Sequence, residues 1–171
     1  MEVSTILSFD PASRTNLGYA VICKHPKRIE YSGYTTVIKG ETDAKRLADV
    51  FLFVSKLIDV VNPTVIVIER TISFAGSFIT GQVAQNTGVI LCAIGNRQTD
   101  IPIEYVYPTS VKKALTGSGK ASKADIKKVV AEYVPNISKL SEHAIDALAN
   151  GIYFLKNSEN KKGGSAKKEE S

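Results

Sequence analysis

The stretch ILSFDPASRTNLGYAVI, residues 6–22, decides the fold of this chain. It predicts a strand that ends at Asp10, a short polar turn, and a second strand that begins within hairpin distance. A third apolar run at 28–38 extends the pattern, so three consecutive antiparallel strands open the domain. An aspartate at the end of a buried strand is either a turn residue or a functional residue. The other segments of the sequence are needed to distinguish these two interpretations.

The rest of the chain alternates between helical and strand patterns. Residues 41–62 carry apolar side chains at helical spacing, and 64–69 form a short β-branched run typical of a strand buried on both faces. A helix at 77–96, a strand at 103–108 and three further helical stretches follow. This order predicts an α/β fold, a five-stranded mixed sheet with antiparallel edge strands and a parallel centre, flanked by helices.

Length and composition limit the number of domains and the cellular compartments to be considered. With 171 residues and 43% hydrophobic residues, one folded domain at 1–156 is expected, followed by a charged, disordered tail at 157–171. No apolar run is long enough for a membrane span, and no signal or transit peptide is evident, which favours the cytoplasm. The net charge of +5 permits a polyanionic partner without proving one.

Two predicted strands end on acids. Asp10 ends the first and Glu69 ends the fourth. If these strands are parallel neighbours, the two carboxylates meet at the sheet edge where α/β proteins bind ligands. They would repel each other unless a cation lies between them, and oxygen ligands suit Mg²⁺ or Mn²⁺. The alternative for Asp10 is a turn residue.

The last predicted helix adds two polar side chains. In SEHAIDALA, His143 and Asp146 are three residues apart and therefore share a face, among apolar neighbours. Each could instead be a solvated helix residue. Four such residues at two strand ends and one helix face favour a functional site.

Four motifs carry a resemblance to a known family. The segments IL-FDP-S--NLGYAVI, VIVIER, VKKALTGSGKASK and HAIDALA, in this order, resemble the RuvC-type Holliday junction resolvases of the ribonuclease H-like superfamily. The likeness runs from about residue 5 to 155 and implies a ribonuclease H-like fold. One departure is Ala12, where the typical family turn is Asp-Pro-Gly.

The resemblance implies a metal-dependent crossover junction endodeoxyribonuclease. Its four catalytic and metal-binding positions match Asp10, Glu69, His143 and Asp146. Two-metal phosphodiester hydrolysis with Mg²⁺, for which Mn²⁺ can substitute, is then expected. A homodimer would make paired symmetric nicks with 5′-phosphate ends in four-way or branched DNA. A branch-migration helicase partner and a nucleoid-associated location in a bacterial or phage-infected cell are further expectations.

A lysine-rich segment at 111–128 precedes the last helix. It resembles a phosphate loop only in part, because Ala114 and Ala121 stand where glycine and Ser or Thr are required. A solvated helix face is one explanation, and contact with DNA phosphates is the other. The resemblance selects Lys112 and Lys123 for DNA contact, and Lys113 and Lys120 are further DNA-binding candidates.

The segment after Glu69 offers aromatic and basic candidates. Phe74 and Phe78 either pack in the core or act as a stacking wedge at an opened base pair, as the resemblance suggests. Arg70 could reach a phosphate. The other functions left open are a ribonuclease H-like nuclease for other branched DNA or RNA–DNA hybrids, and a non-catalytic branched-DNA-binding protein.

Overall fold

The computed structural model of the chain describes residues 5–11, 15–26, 28–38, 41–70, 78–97 and 100–166. Within them lies one five-stranded sheet of order β3-β2-β1-β4-β5. Its strands are β1 (Thr5–Asp10), β2 (Asn16–Lys24), β3 (Ile29–Val37), β4 (Val65–Glu69) and β5 (Ile103–Val106). The first three pair antiparallel, and β4 and β5 continue from β1 in parallel. The predicted mixed sheet is confirmed.

The helices follow the predicted pattern closely. They are α1 (Asp43–Val61), α2 (Phe78–Gly95), α3 (Pro108–Thr116), α4 (Lys123–Ala131) and α5 (Glu142–Ala166), with a short 3₁₀ turn at Ile137–Lys139 that the sequence did not predict. Helix α1 ends before Asn62, which adopts the left-handed conformation that closes a helix. Ser122 and Asp125 form a reciprocal capping box at the start of α4.

The sheet separates two hydrophobic cores. Alternate residues of β1 point to opposite faces, so Leu7 and Phe9 pack in the core beneath α1 and α2, whereas Ile6 lies in the core beneath α3, α4 and α5. The same alternation places Asp10 on the face that carries α5. Strand β1 is therefore buried on both sides, as its position in the middle of the sheet requires.

Helix α5 lies unusually close to the sheet. The Ser8 hydroxyl donates to the carbonyl of Ala147 over 2.5 Å, although 139 residues separate them. A β-carbon at Gly151 would collide with the side chain of Ile22, so glycine permits this approach. The close contact fixes the height of α5 above β1 and β2.

Helix α5 also extends to Ala166, past residue 156, where the boundary with the tail was predicted. The division into a domain at 1–156 and a disordered tail stays a prediction. None of the helices in the described ranges combines the length and apolarity that crossing a membrane requires.

Candidate active site

The carboxyl ends of β1 and β4 bring two predicted acids together. Phe9 is paired with Ile68 in the parallel ladder, so the next residue of each strand, Asp10 and Glu69, follows at neighbouring positions. Asp10 is only 1% exposed. This burial differs from that of a solvated turn residue, and a buried carboxylate requires partners within the protein.

Helix α5 begins directly above Asp10. Ser141 caps it by accepting a hydrogen bond from the backbone N–H of Ala144 over 3.2 Å. In its first turn, His143 Nδ1 lies 2.9 Å from Asp10 Oδ2. Gly18, opposite Asp10 in β2, makes room for the backbone of His143, since a β-carbon there would collide with its carbonyl group.

Asn150 is a site residue that the sequence analysis missed. It is buried on α5 and donates from Nδ2 to Glu69 Oε2 over 3.0 Å. Its position four residues after Asp146, on the same apolar face, is a signal that could have found it. Asn150 orients the Glu69 carboxylate without adding a charge.

The carboxyl groups influence one another. Burial, and then the negative charge of Asp10, raise the pKa of Glu69 to about 7, although the Asn150 hydrogen bond opposes the shift. Burial and Asp10 also raise the pKa of Asp146 to about 6. The hydrogen bond to Asp10 raises the pKa of His143. Negative charge at this edge is therefore only partly compensated by the protein itself.

Two lysines face this cluster across a cavity of about 180 Å³. Lys112 from α3 and Lys123 from α4 line it together with Glu69, Asp146 and Asn150, above an apolar floor that includes Val111, Ile126 and Ala149. The cavity can take a phosphate group and small ions but not a whole nucleotide. Lys123 also donates to Glu142 Oε2 over 2.6 Å, and this hydrogen bond raises the pKa of Lys123.

The other predicted basic residues lie elsewhere. Lys120 lines a separate, open cavity of about 520 Å³ with Lys128 and Asp125. Lys113 is exposed on α3, one residue from Lys112 but outside the lining of the smaller cavity. The structure therefore brings Lys112 and Lys123 to the acidic cluster and leaves Lys113 and Lys120 at its periphery.

The segment after Glu69 is described only in part. Arg70 is exposed, and its guanidinium group lies over the ring of Tyr105, 5.1 Å from the centroid. Phe74 lies outside the described residues. Phe78 opens α2, but its side chain is likewise not among those described, so the choice between core packing and a wedge stays a prediction.

A buried arginine supports the turn after Asp10. Arg46 of α1 is 2% exposed and donates to Asn86 Oδ1 over 2.7 Å and to Gln85 Oε1 over 2.8 Å, both on α2. Asn86 in turn donates to the carbonyl of Pro11 over 3.2 Å. The sequence analysis did not identify this chain of contacts, which ties two helices to the residue that follows Asp10.

The donor set fits a divalent cation. Three carboxylates and one imidazole meet at this edge. The raised pKa values of Glu69 and Asp146 show that their ionised forms are disfavoured here, and a bound cation would stabilise those ionised forms. Within the described part of the chain, no three His, Cys, Asp or Glu side chains already converge as metal ligands. Asp10 instead contacts His143, and Glu69 contacts Asn150.

Comparison with known proteins gives a consistent result. Residues 6–154 match the family described as crossover junction endodeoxyribonuclease RuvC. A protein of that name from Hydrogenovibrio crunogenus is 32% identical over 154 residues, covering 88% of this chain and 87% of its own length.

Solved structures show the same fold. The structure of Thermus thermophilus RuvC superposes with a TM-score of 0.73 at 21% identity, covering 90% of this chain and 96% of that one. T. thermophilus RuvC in complex with a Holliday junction substrate superposes with a TM-score of 0.74 at 22% identity, covering 88% and 92%.

Proposed function

Since the chain belongs to the RuvC family of crossover junction endodeoxyribonucleases, we propose that it resolves Holliday junctions by metal-dependent cleavage of DNA. The proposal extends to paired, symmetric nicks with 5′-phosphate ends. The T. thermophilus relative bound to a Holliday junction supports this choice of substrate.

One observation carries the proposal. Acids from two strand ends and one helix meet next to a cavity that two lysines line from the other side. A protein that only binds DNA gains nothing from negative charge facing phosphate. A metal-dependent phosphodiesterase uses that arrangement, since acids hold cations and lysines hold the phosphate.

The position of each residue in the site determines the role that we assign to it. We assign Asp10, Glu69, His143 and Asp146 as catalytic residues and metal ligands. The Mg²⁺, or Mn²⁺ in its place, that these residues would hold would supply an activated water and would stabilise the departing 3′ oxygen. Asn150 keeps the Glu69 carboxylate aimed at the cavity. Lys112 and Lys123 bind the phosphate, and Lys113, Lys120 and Arg70 extend the contact along the DNA.

The remaining parts of the proposal concern partners. A homodimer would place one site on each of two opposed strands, which paired cuts require. A branch-migration helicase is the proposed partner, and four-way DNA in the nucleoid is the proposed setting. Phe74 or Phe78 is proposed to act as a wedge at an opened base pair.

Cleavage of a synthetic mobile four-way junction, with and without Mg²⁺ and with cuts mapped on all four strands, tests the proposal. Wild-type protein should make paired cuts only with the metal. Asp10→Asn and Glu69→Gln should bind the junction and not cut it. Normal cutting by either variant would refute the assignment of these residues.

Substrate selectivity requires a second comparison. Flaps, forks and RNA–DNA hybrids assayed beside the junction separate a resolvase from a nuclease of broader selectivity. Metal-dependent binding without any nick would instead identify a non-catalytic branched-DNA-binding protein.

A further inference from the structure

Two tyrosines are exposed beside the candidate active site. Tyr105 of β5 is 40% exposed, and Tyr107, which precedes α3, is 42% exposed. Their neighbour Val106 is buried. Apolar rings on the surface of a monomeric domain are common singly, but two beside a functional edge mark a candidate contact surface.

An arginine links the two rings. The Arg70 guanidinium lies 5.1 Å from the centroid of the Tyr105 ring, and its Nη1 donates to the Tyr107 hydroxyl over 3.4 Å. The backbone N–H of Arg70 donates to the carbonyl of Val106 over 2.7 Å. The arginine is thus held at its backbone by β5 and at its head group by the two rings.

This Arg–Tyr surface, Arg70 with Tyr105 and Tyr107, adjoins the acidic cluster but lies on the other face of the sheet. Arg70 directly follows β4, and its backbone hydrogen bond to Val106 continues the pairing with β5, so the side chains of Glu69 and Arg70 point to opposite faces. Ile66, Ile68 and Ile103 pack in the core beneath α1 and α2, which places Arg70 and Tyr105 on that side. A ligand strand that crosses the carboxyl edge of the sheet can therefore contact both the acidic cluster and the Arg–Tyr surface.

The chemistry of the surface selects its ligand. A guanidinium group binds phosphate in a bidentate manner, and an exposed aromatic ring stacks on a base of any sequence. A nucleic-acid strand offers both groups, an anion and a flat apolar face, at a short spacing. Duplex DNA covers the base faces, so the strand must be locally unpaired.

We propose that the Arg–Tyr surface binds an unpaired stretch of the DNA strand adjacent to the phosphate in the active site. Arg70 contacts a backbone phosphate, Tyr105 stacks on a base, and Tyr107 holds the guanidinium in place. The inference rests on the proposed function for its position along the substrate, but its ligand class follows from this surface alone.

Binding measurements in EDTA, where cleavage cannot interfere, test the inference. The probes are a short fluorescein-labelled oligodeoxythymidine and a labelled four-way junction, followed by anisotropy. Arg70→Ala and Tyr105→Ala should weaken binding of the oligonucleotide at least about fivefold. Tyr105→Phe keeps the ring and should bind as the wild type does. Arg70→Ala should also reduce the salt slope by about 0.7.

The matched control is Tyr34→Ala. Tyr34 is 47% exposed on β3, the opposite edge strand, and its loss should leave oligonucleotide affinity unchanged. Wild-type affinity in both Arg70→Ala and Tyr105→Ala, or an equal loss in Tyr34→Ala, would overturn the inference. Thermal melts confirm that each variant folds.

Junction cutting by the wild-type protein, measured in parallel, separates the two proposals. Cutting by the wild type with unaltered oligonucleotide binding by the variants refutes the Arg–Tyr surface and keeps the resolvase. Weakened binding by the variants, with no cutting by the wild type, supports the surface and refutes the resolvase.

Discussion

Gly18 lies directly opposite Asp10 in the β1–β2 pair, and the carbonyl group of His143 occupies the space that a β-carbon at residue 18 would need. One position without a side chain thus allows a strand aspartate and a helix histidine to come within hydrogen-bonding distance. The geometry of the candidate active site depends on a glycine that carries no functional group.

The first prediction concerns this contact. Gly18→Ala should push the start of α5 away from the sheet, lower the stability by about 1–3 kcal/mol and slow junction cutting at least about tenfold. Thermal unfolding and single-turnover cleavage measure the two effects. The control is Gly88→Ala in α2, where an added β-carbon meets no atom within 4 Å. Unchanged cutting by Gly18→Ala would show that the approach is not needed.

The second prediction concerns pH. The pKa of Glu69 is raised from 4.5 to about 7, so the folded state holds this proton more tightly than the unfolded state does. In EDTA the protein should therefore lose stability as the pH rises from about 4.5 to about 7.

Glu69→Gln removes this titration. At about pH 8 in EDTA it should be more stable than the wild type by about 2 kcal/mol, less than the full pKa shift implies because solvent screens part of it. Near pH 4.5 the two should unfold alike. Denaturant unfolding at both pH values measures this, with Glu104→Gln, at an exposed position of β5, as the control. A constant difference at both pH values would contradict the prediction.

The third prediction concerns Asn150. Asn150→Ala removes the donor to Glu69 Oε2, so the carboxylate loses its fixed orientation. The single-turnover rate should fall about tenfold and the Mg²⁺ concentration at half-maximal rate should rise, as expected when a group that orients a ligand is lost. Asn96→Ala, at an exposed position just beyond α2, is the control. A lower rate with an unchanged Mg²⁺ midpoint would argue against an orienting role.

The fourth prediction concerns Arg46. Arg46→Met removes the donor to Gln85 Oε1 and to the buried Asn86 Oδ1 and should destabilise the protein by about 1–3 kcal/mol. Lys45→Met, one residue away and exposed, should change the stability by less than about 0.5 kcal/mol. Urea unfolding compares them. Equal midpoints would show that the buried arginine is not a structural link.

The features that could be predicted from the sequence are those that depend on local patterns of apolar and polar residues. Asp10 and Glu69 could be found because both end apolar runs, and parallel neighbouring strands bring their carboxyl ends together. The spacing of His143 and Asp146 follows from the period of a helix. The order of strands and helices follows from the same two periodicities.

What escaped prediction depends on contacts distant in sequence. Arg46 sits in an amphipathic helix, where an arginine is normally a surface residue, and only the approach of Gln85 and Asn86 explains its burial. Asn150 and Gly18 matter because of how α5 lies across the sheet. Lys112 and Lys120 belong to one lysine-rich segment in which only the family resemblance distinguishes them, and in the structure they line different cavities.

The change of face between Glu69 and Arg70 has a mechanical consequence. A nucleic acid that touches both surfaces must bend sharply around the carboxyl edge of the sheet. Duplex DNA has a persistence length of about 150 bp and resists such a turn, whereas a strand leaving a branch point bends freely. A preference for branched substrates would then arise from the stiffness of duplex DNA, and the protein would not need to recognise any base.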